Sequence, residues 1–169
     1  MAVTLEAGDV APAFSLADQD GATHRLAGYR GRTVVLYFYP RDETPGCTAQ
    51  ACSFRDNETA IAARGAVVLG VSTDDAAAHR RFRESHGLPF PLLVDEDSKV
   101  STAYGAWGEK VLYGRKFIGM IRSTFIIGPD GRLLRVWKRA RAADHGAVVL
   151  AALNDITSRQ SHAATHRKR

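Results

Sequence analysis

Six consecutive apolar residues, Val34, Val35, Leu36, Tyr37, Phe38 and Tyr39, interrupt a chain that elsewhere mixes apolar with polar positions. A run without alternation, rich in β-branched and aromatic side chains, predicts a central strand buried on both faces. Pro40 ends it. After Thr44, Pro45 and Gly46, residues 48–64 take up helical spacing with Ala51, Phe54 and Ile61 on one face, and Gly65 stops the helix. Residues 67–71 predict a second buried strand, and Asp74 and Asp75 then open an Ala- and Arg-rich helix reaching about His86. Residues 88–91 should be extended and 92–94 a short strand, with Ser98 capping a short helix toward Tyr104. The glycine-rich stretch 105–119 is expected to be the least regular part. Residues 123–127 and 132–137, joined by Gly128, Pro129, Asp130 and Gly131, predict a β-hairpin, and 144–156 a final amphipathic helix.

Strand-helix alternation followed by a hairpin and a terminal helix implies an α/β sandwich whose sheet mixes parallel and antiparallel strands. At 169 residues the chain suffices for one domain, assigned to 1–156, and there is no internal repeat. Residues 157–169 are polar and aperiodic, and are expected to be a disordered tail. That tail changes the reading of charge. Arg159, Arg167, Lys168 and Arg169 supply four of the five net positive charges, so the body is close to neutral. Too few cations and no aromatic residue are present in the tail for nucleic-acid readout. The N-terminus carries neither a basic n-region nor a long apolar segment, and no run approaches membrane-spanning length. A cytoplasmic location is expected. There, two cysteines point to transient redox chemistry or to simple burial.

Position decides between those two for Cys47. The central strand delivers this thiol to a helix start, where unpaired backbone N–H groups and the positive end of the helix dipole favour the thiolate. Cys47 is therefore a candidate nucleophile, and Cys52, five residues later, makes a candidate redox couple. The alternatives are a small buried hydrophobe for Cys47 and core packing for Cys52. Cys-x4-Cys is also half of a zinc pattern, but no further cysteine exists and no His pair lies at ligand spacing nearby, so no metal is expected. His24, His79, His86 and His145 are scattered and read as structural or solvated. His162 and His166 fall in the tail.

Pro40, Thr44 and Cys47 stand in the spacing Pro-x-x-x-Thr-x-x-Cys, and the block 44–56, TPGCTAQACSFRD, extends it. Both resemble the peroxiredoxins, in the branch of the bacterioferritin comigratory protein and peroxiredoxin Q. Residues 8–16, 70–74, 104–110 and 122–125 resemble that branch in the same order, so the likeness covers about 5–156. The resemblance implies a thioredoxin-like fold, a mixed central sheet flanked by helices, and a thiol peroxidase acting on hydrogen peroxide and organic hydroperoxides without metal or organic cofactor.

It also implies roles. Cys47 would be the peroxidatic thiol; Thr44 would supply a hydroxyl beside it; Arg122 would hold the thiolate and the peroxide; Pro40 would shield the sulfur from water. Taken alone, Thr44 could be only a helix cap and Arg122 a surface ion-pair partner. Asp42 and Glu43 oppose ionisation of a neighbouring thiol and are expected to point outward. A sulfenic acid on Cys47 would condense with Cys52, the implied resolver. In an intact helix that pair has Cα atoms roughly 8.6 Å apart, beyond the ~7 Å a disulfide tolerates. Disulfide formation therefore requires unwinding. Thioredoxin or a similar dithiol is the implied reductant, and a monomer or weak dimer the implied state. Trp107, Phe90 and Tyr104 are candidates for the site mouth or the core. A thioredoxin-type dithiol oxidoreductase is the competing reading, but it prefers Cys-x-x-Cys and a proline directly before residues 123–125, and neither is present.

Overall fold

A computed structural model of the protein describes residues 4–167. The predicted central strand is β3 (Thr33–Phe38), and its alternating side chains divide between two cores. Val35 and Tyr37 face one side with Phe54, Phe82, Leu92 and Val149. Val34, Leu36 and Phe38 face the other with Leu69, Leu93, Tyr104 and Phe125. This double burial is why the run lacks polar residues.

The N-terminal segment forms a small antiparallel pair, β1 (Ser15–Ala17) and β2 (Thr23–Arg25), followed by a 3-10 turn at Leu26–Tyr29. After β3 come α1 (Pro45–Ala63), β4 (Ala66–Ser72), α2 (Ala76–His86), β5 (Leu92–Val94) and α3 (Lys99–Ala103). β6 (Trp107–Leu112), β7 (Arg115–Met120), β8 (Ser123–Ile127), β9 (Leu133–Trp137) and α4 (His145–Arg167) complete the chain. The main sheet runs β5-β4-β3-β8-β9. β3, β4 and β5 are parallel, and β8 lies antiparallel to both β3 and β9. Buried residues of α1, α2 and α4 pack on one face of the sheet, while the other is covered by the N-terminal segment and by Tyr104, Ala106 and Met120. This is the expected α/β architecture.

Four local expectations change. Residues 105–119 are not irregular: β6 and β7 form a regular two-stranded hairpin from Trp107↔Met120 to Leu112↔Arg115. Their glycines hid a strand pattern that also leaves apolar residues outside. Ser98 stands at the cap of α3 with φ 57°, but its side chain makes no capping bond. The Asp95 carboxylate accepts from the N–H of Ser101 at 2.8 Å instead. α1 begins at Pro45 rather than 48, so Cys47 already lies inside its first turn. Finally, α4 continues through Arg167 where disorder is expected from 157 onward. No glycine or proline follows Gly146 to stop it, and Arg159 pairs with Asp155 one turn back at 3.4 Å. Residues 168–169 lie outside the described residues. Among the described residues no helix is long and apolar enough to cross a membrane.

Candidate active site

Cys47 reaches the site because β3 ends at a proline and the chain must turn immediately into α1. Thr44 occupies the N-cap with φ −78° and ψ 149°, and Pro45 takes the first helical position, where its missing N–H costs nothing. The Cys47 thiol is 1% exposed and packs in the core beneath α1. Cys52, on the same uninterrupted helix, is half-buried, and both are free thiols. It borders a surface depression lined also by Ala49, Ser53, Asp56, Ala143 and Asp144.

Arg122 arrives from the segment between β7 and β8. Its Nη2 donates to Cys47 Sγ at 3.4 Å. Its Nη1 donates to Gln50 Oε1 at 2.6 Å, and the Arg122 carbonyl accepts from the Ala140 N–H at 2.8 Å. The guanidinium is thereby aimed as well as charged. Gly46 leaves room for it, since a Cβ there would lie 3.2 Å from Nη2. Sequence reasoning missed Gln50, although it falls inside the motif block. Its place three residues along the helix from Cys47 was the available signal, and the structure buries it fully.

Thr44 does not use its hydroxyl as a helix cap. Oγ1 donates to the Arg41 carbonyl at 2.8 Å, leaving its lone pairs as acceptors. Pro40 and Arg122 line one cleft of about 230 Å³ with Lys110, Val111, Ile121 and Arg139. Burial, and then the charge of Arg122, pull the Lys110 ammonium below its usual range. Tyr37 is fully buried in the Cys47 core, and neither its Oη nor Gln50 Nε2 has a hydrogen-bond partner among the described residues. Burial first, then the charges on Cys47 and Asp42, push the Tyr37 phenol well above its usual range and keep it protonated.

The two loop acids separate. Glu43 is exposed as expected and contacts His86 Nε2 at 3.1 Å. Asp42 turns inward, against expectation. It accepts from the Tyr39 hydroxyl and contacts His79 Nδ1, each at 2.6 Å, while His79 Nε2 meets the Leu93 carbonyl at 2.8 Å. Asp42's own N–H donates to Asp74 at 2.9 Å. His79 with acceptors on both nitrogens is an imidazolium, and the inward carboxylate is neutralised by it. Burial lowers the affinity of His79 for its proton, but the hydrogen bond and charge of Asp42 outweigh that and raise its pKa. Asp42, Asp74 and His79 have the spacing of a metal cluster, yet Asp42 Oδ2 and His79 Nδ1 hold each other, while Asp74 Oδ2 accepts from the Asp42 N–H and the Ser72 hydroxyl.

His145 stands at the start of α4. It is buried, meets Thr124 Oγ1 at 2.8 Å, and packs edge-on against Phe54 and Trp137. Burial and the charge of Arg122 lower its pKa to about 4, so it is neutral. Phe90 and Tyr104 are core residues and Trp107 packs against the second core, so none of the three lines the cleft. His24 contacts Asp18 and Tyr29. The side chains of His162 and His166 lie outside the described residues.

Residues 7–136 match the AhpC/TSA family. This chain belongs to that family, in its Bcp/PrxQ peroxiredoxin branch. The peroxiredoxin is 43% identical over 157 residues to peroxiredoxin Bcp of Bacillus subtilis, covering 93% of this chain and 100% of that one. It is 45% identical over 146 residues to Bcp of Escherichia coli strain K12, covering 86% and 94%. Among solved structures, the bacterioferritin comigratory protein of Xanthomonas campestris superposes with a TM-score of 0.80 at 35% identity, covering 84% of this chain and 90% of that one. PrxQ of Xylella fastidiosa superposes at 0.86 with 31% identity, covering 92% and 99%. The peroxiredoxin thus has the thioredoxin-like fold of its neighbours and is a thiol peroxidase.

Proposed function

We propose that Cys47 is the peroxidatic thiol and Cys52 the resolving one, on hydrogen peroxide and organic hydroperoxides. The observation carrying this reading is the Arg122 guanidinium 3.4 Å from a buried Cys47 Sγ at the start of α1. A fixed cation and a helix N-terminus face the sulfur, where negative charge is held and then moves onto the peroxide. The thiolate attacks the terminal peroxide oxygen, the O–O bond breaks, and the alkoxide or hydroxide leaves to take up a proton from water. Cys47 becomes a sulfenic acid. Arg122 donates to the oxygens as charge moves between them, and Thr44 accepts from the peroxide O–H with the lone pairs its bond to Arg41 leaves free. Pro40 has no N–H and walls the cleft against water. Alkyl peroxide reduction described for the Xanthomonas protein supports including organic substrates.

The Cys52 thiol gives up its proton and, as thiolate, attacks the sulfenic sulfur; the S–O bond breaks, hydroxide leaves and takes up a proton to become water, and the disulfide forms. Because both residues share one continuous helix, this step unwinds its first turns. A strained disulfide of this kind is readily reduced, so thioredoxin or a similar dithiol protein closes the cycle. A monomer suffices, since both thiols and Arg122 come from one chain. The reading places the enzyme in the cytoplasm, where Cys52 is reduced before each turnover.

A peroxidase assay coupled to thioredoxin, thioredoxin reductase and NADPH tests it. Cys52→Ser should oxidise once, hold a sulfenic acid that dimedone traps, and fail to turn over with thioredoxin. Undiminished turnover of that variant would remove Cys52 from the cycle.

A further inference from the structure

Among the described residues the β6–β7 hairpin is partnered by no other strand: its two strands pair only with each other, outside the main sheet. Five of the seven large apolar residues exposed on the described surface lie in it, namely Val111, Leu112, Tyr113, Phe117 and Ile118. Tyr113 at the tip is 96% exposed and Ile118 70%. The register puts Val111 and Ile118 on one face and Leu112 and Phe117 on the other, with Tyr113 at the tip, and exposed apolar residues gathered on one projecting element mark an interaction site rather than chance.

Charge selects the occupant. The hairpin carries Lys110, Arg115 and Lys116 against a single acid, Glu109, which Lys116 already neutralises at 3.6 Å. The adjoining loop adds Arg139 and Arg141. A second copy docked hairpin to hairpin would set cations against cations, whereas a partner bearing carboxylates would complement them. Position says why such a partner comes. The base of the hairpin lines the cleft beside Arg122, together with Arg139 and Ala140. That same loop continues to Ala143 and Asp144, which border the depression over Cys52. The loop thus runs from the base of the hairpin to the depression over the resolving sulfur.

Resting on the Cys47–Cys52 reading above, we propose that the hairpin is the docking tongue for the dithiol protein that reduces the disulfide, a partner whose reactive thiol is framed by apolar residues and carboxylates. Seated there, the partner's thiolate attacks Cys52 Sγ; the Cys47–Cys52 bond breaks, and Cys47 leaves as a thiolate beside Arg122. The partner's second thiolate attacks the mixed disulfide, releases Cys52, and leaves the partner oxidised.

Two variants test the tongue without touching the cleft, Tyr113→Ser with Ile118→Ser, and Arg115→Glu with Lys116→Glu. With thioredoxin, its reductase and NADPH, each should raise KM for thioredoxin roughly tenfold or more, the charge reversal most strongly at low salt. Single-turnover peroxide reduction and turnover with dithiothreitol should stay within about twofold of wild type, since neither uses the docking face. An unchanged KM for thioredoxin, with the wild type turning over normally, would overturn the docking proposal and leave the peroxidase reading intact. A wild type that turns over with dithiothreitol but not with thioredoxin would overturn the reductant reading and the tongue with it. Sedimentation showing a wild-type dimer that the apolar variant abolishes would assign the hairpin to a second copy and likewise overturn the proposal.

Discussion

Arg122 on Cys47 and His79 on Asp42 are two cation contacts at either end of one short loop, and they are built on opposite principles. Around His79 every polar atom is matched: both ring nitrogens, the Asp42 carboxylate and the Asp42 N–H all have partners, and His79 is 0% exposed. Around Cys47 the set is incomplete. The sulfur receives one long bond from Arg122, Gln50 Nε2 and Tyr37 Oη are unmatched among the described residues, and a cleft opens beside the guanidinium. A saturated pair fixes backbone, because breaking it strands a buried charge. An unsaturated one keeps donors in reserve for a substrate whose charge appears only during reaction. The loop is thus anchored at Asp42 so that it can be reactive at Cys47.

The largest effect should come from the reactive end. Cys47→Ser should abolish peroxide reduction while leaving the fold intact, because a neutral hydroxyl without a neighbouring base cannot replace a thiolate. Appreciable turnover in a coupled assay would show that the two contacts do not divide chemistry from anchoring. His79→Leu addresses the other end. It strands Asp42 and should cost about 3 kcal/mol of stability in urea unfolding, with the peroxide step of the folded fraction retained. A variant of full stability but lost activity would reverse the assignment.

Arg122→Lys should be milder, slowing peroxide reduction in stopped flow by roughly 10- to 100-fold, since an ammonium keeps the charge but cannot fork between Cys47, Gln50 and substrate. A rate within about twofold of wild type would remove Arg122 from the reaction. Subtler still is hydrogen exchange after one equivalent of peroxide. Protection should fall over residues 44–52 as α1 unwinds, yet hold at Asp42, whose N–H bonds Asp74. It should hold again beyond Ser53, where Gly146 packs so closely that a Cβ would clash with the Ser53 carbonyl oxygen. Uniform loss across 40–60 would mean that neither end is an anchor.

The gentlest difference is with pH. The pKa of His79 is raised on folding, so its stabilisation is complete below the unfolded value of about 6.5 and is lost as pH rises through the folded value. His145 runs the other way: its pKa falls to about 4, so its contribution is complete above about 6.5 and is lost as pH falls toward 4. Unfolding free energy should therefore decline on both sides of the midpoint. His79→Leu should flatten the alkaline decline alone, and persistence of that decline would detach it from the Asp42 pair.

The amino-acid sequence by itself determined what depends on near neighbours. Apolar runs placed β3 and β4, the Asp75 cap placed α2, the Gly-Pro-Asp-Gly turn placed the β8–β9 hairpin, and Thr44, Pro45 and Gly46 put Cys47 at a helix start. Each rests on the period of an element or the chemistry of one turn. The regular β6–β7 hairpin and the length of α4 escaped because glycines and polar residues weaken local patterns without forbidding a strand or a helix. Only the tertiary structure decided which way Asp42 points, how Gln50 aims Arg122, and that the guanidinium touches Cys47. Those contacts join residues 37, 72 and 75 positions apart. No local period encodes them, because a buried charge takes whichever partner the packed chain brings within reach, and that is settled only when strands β3 and β8 pair and α2 closes over the loop.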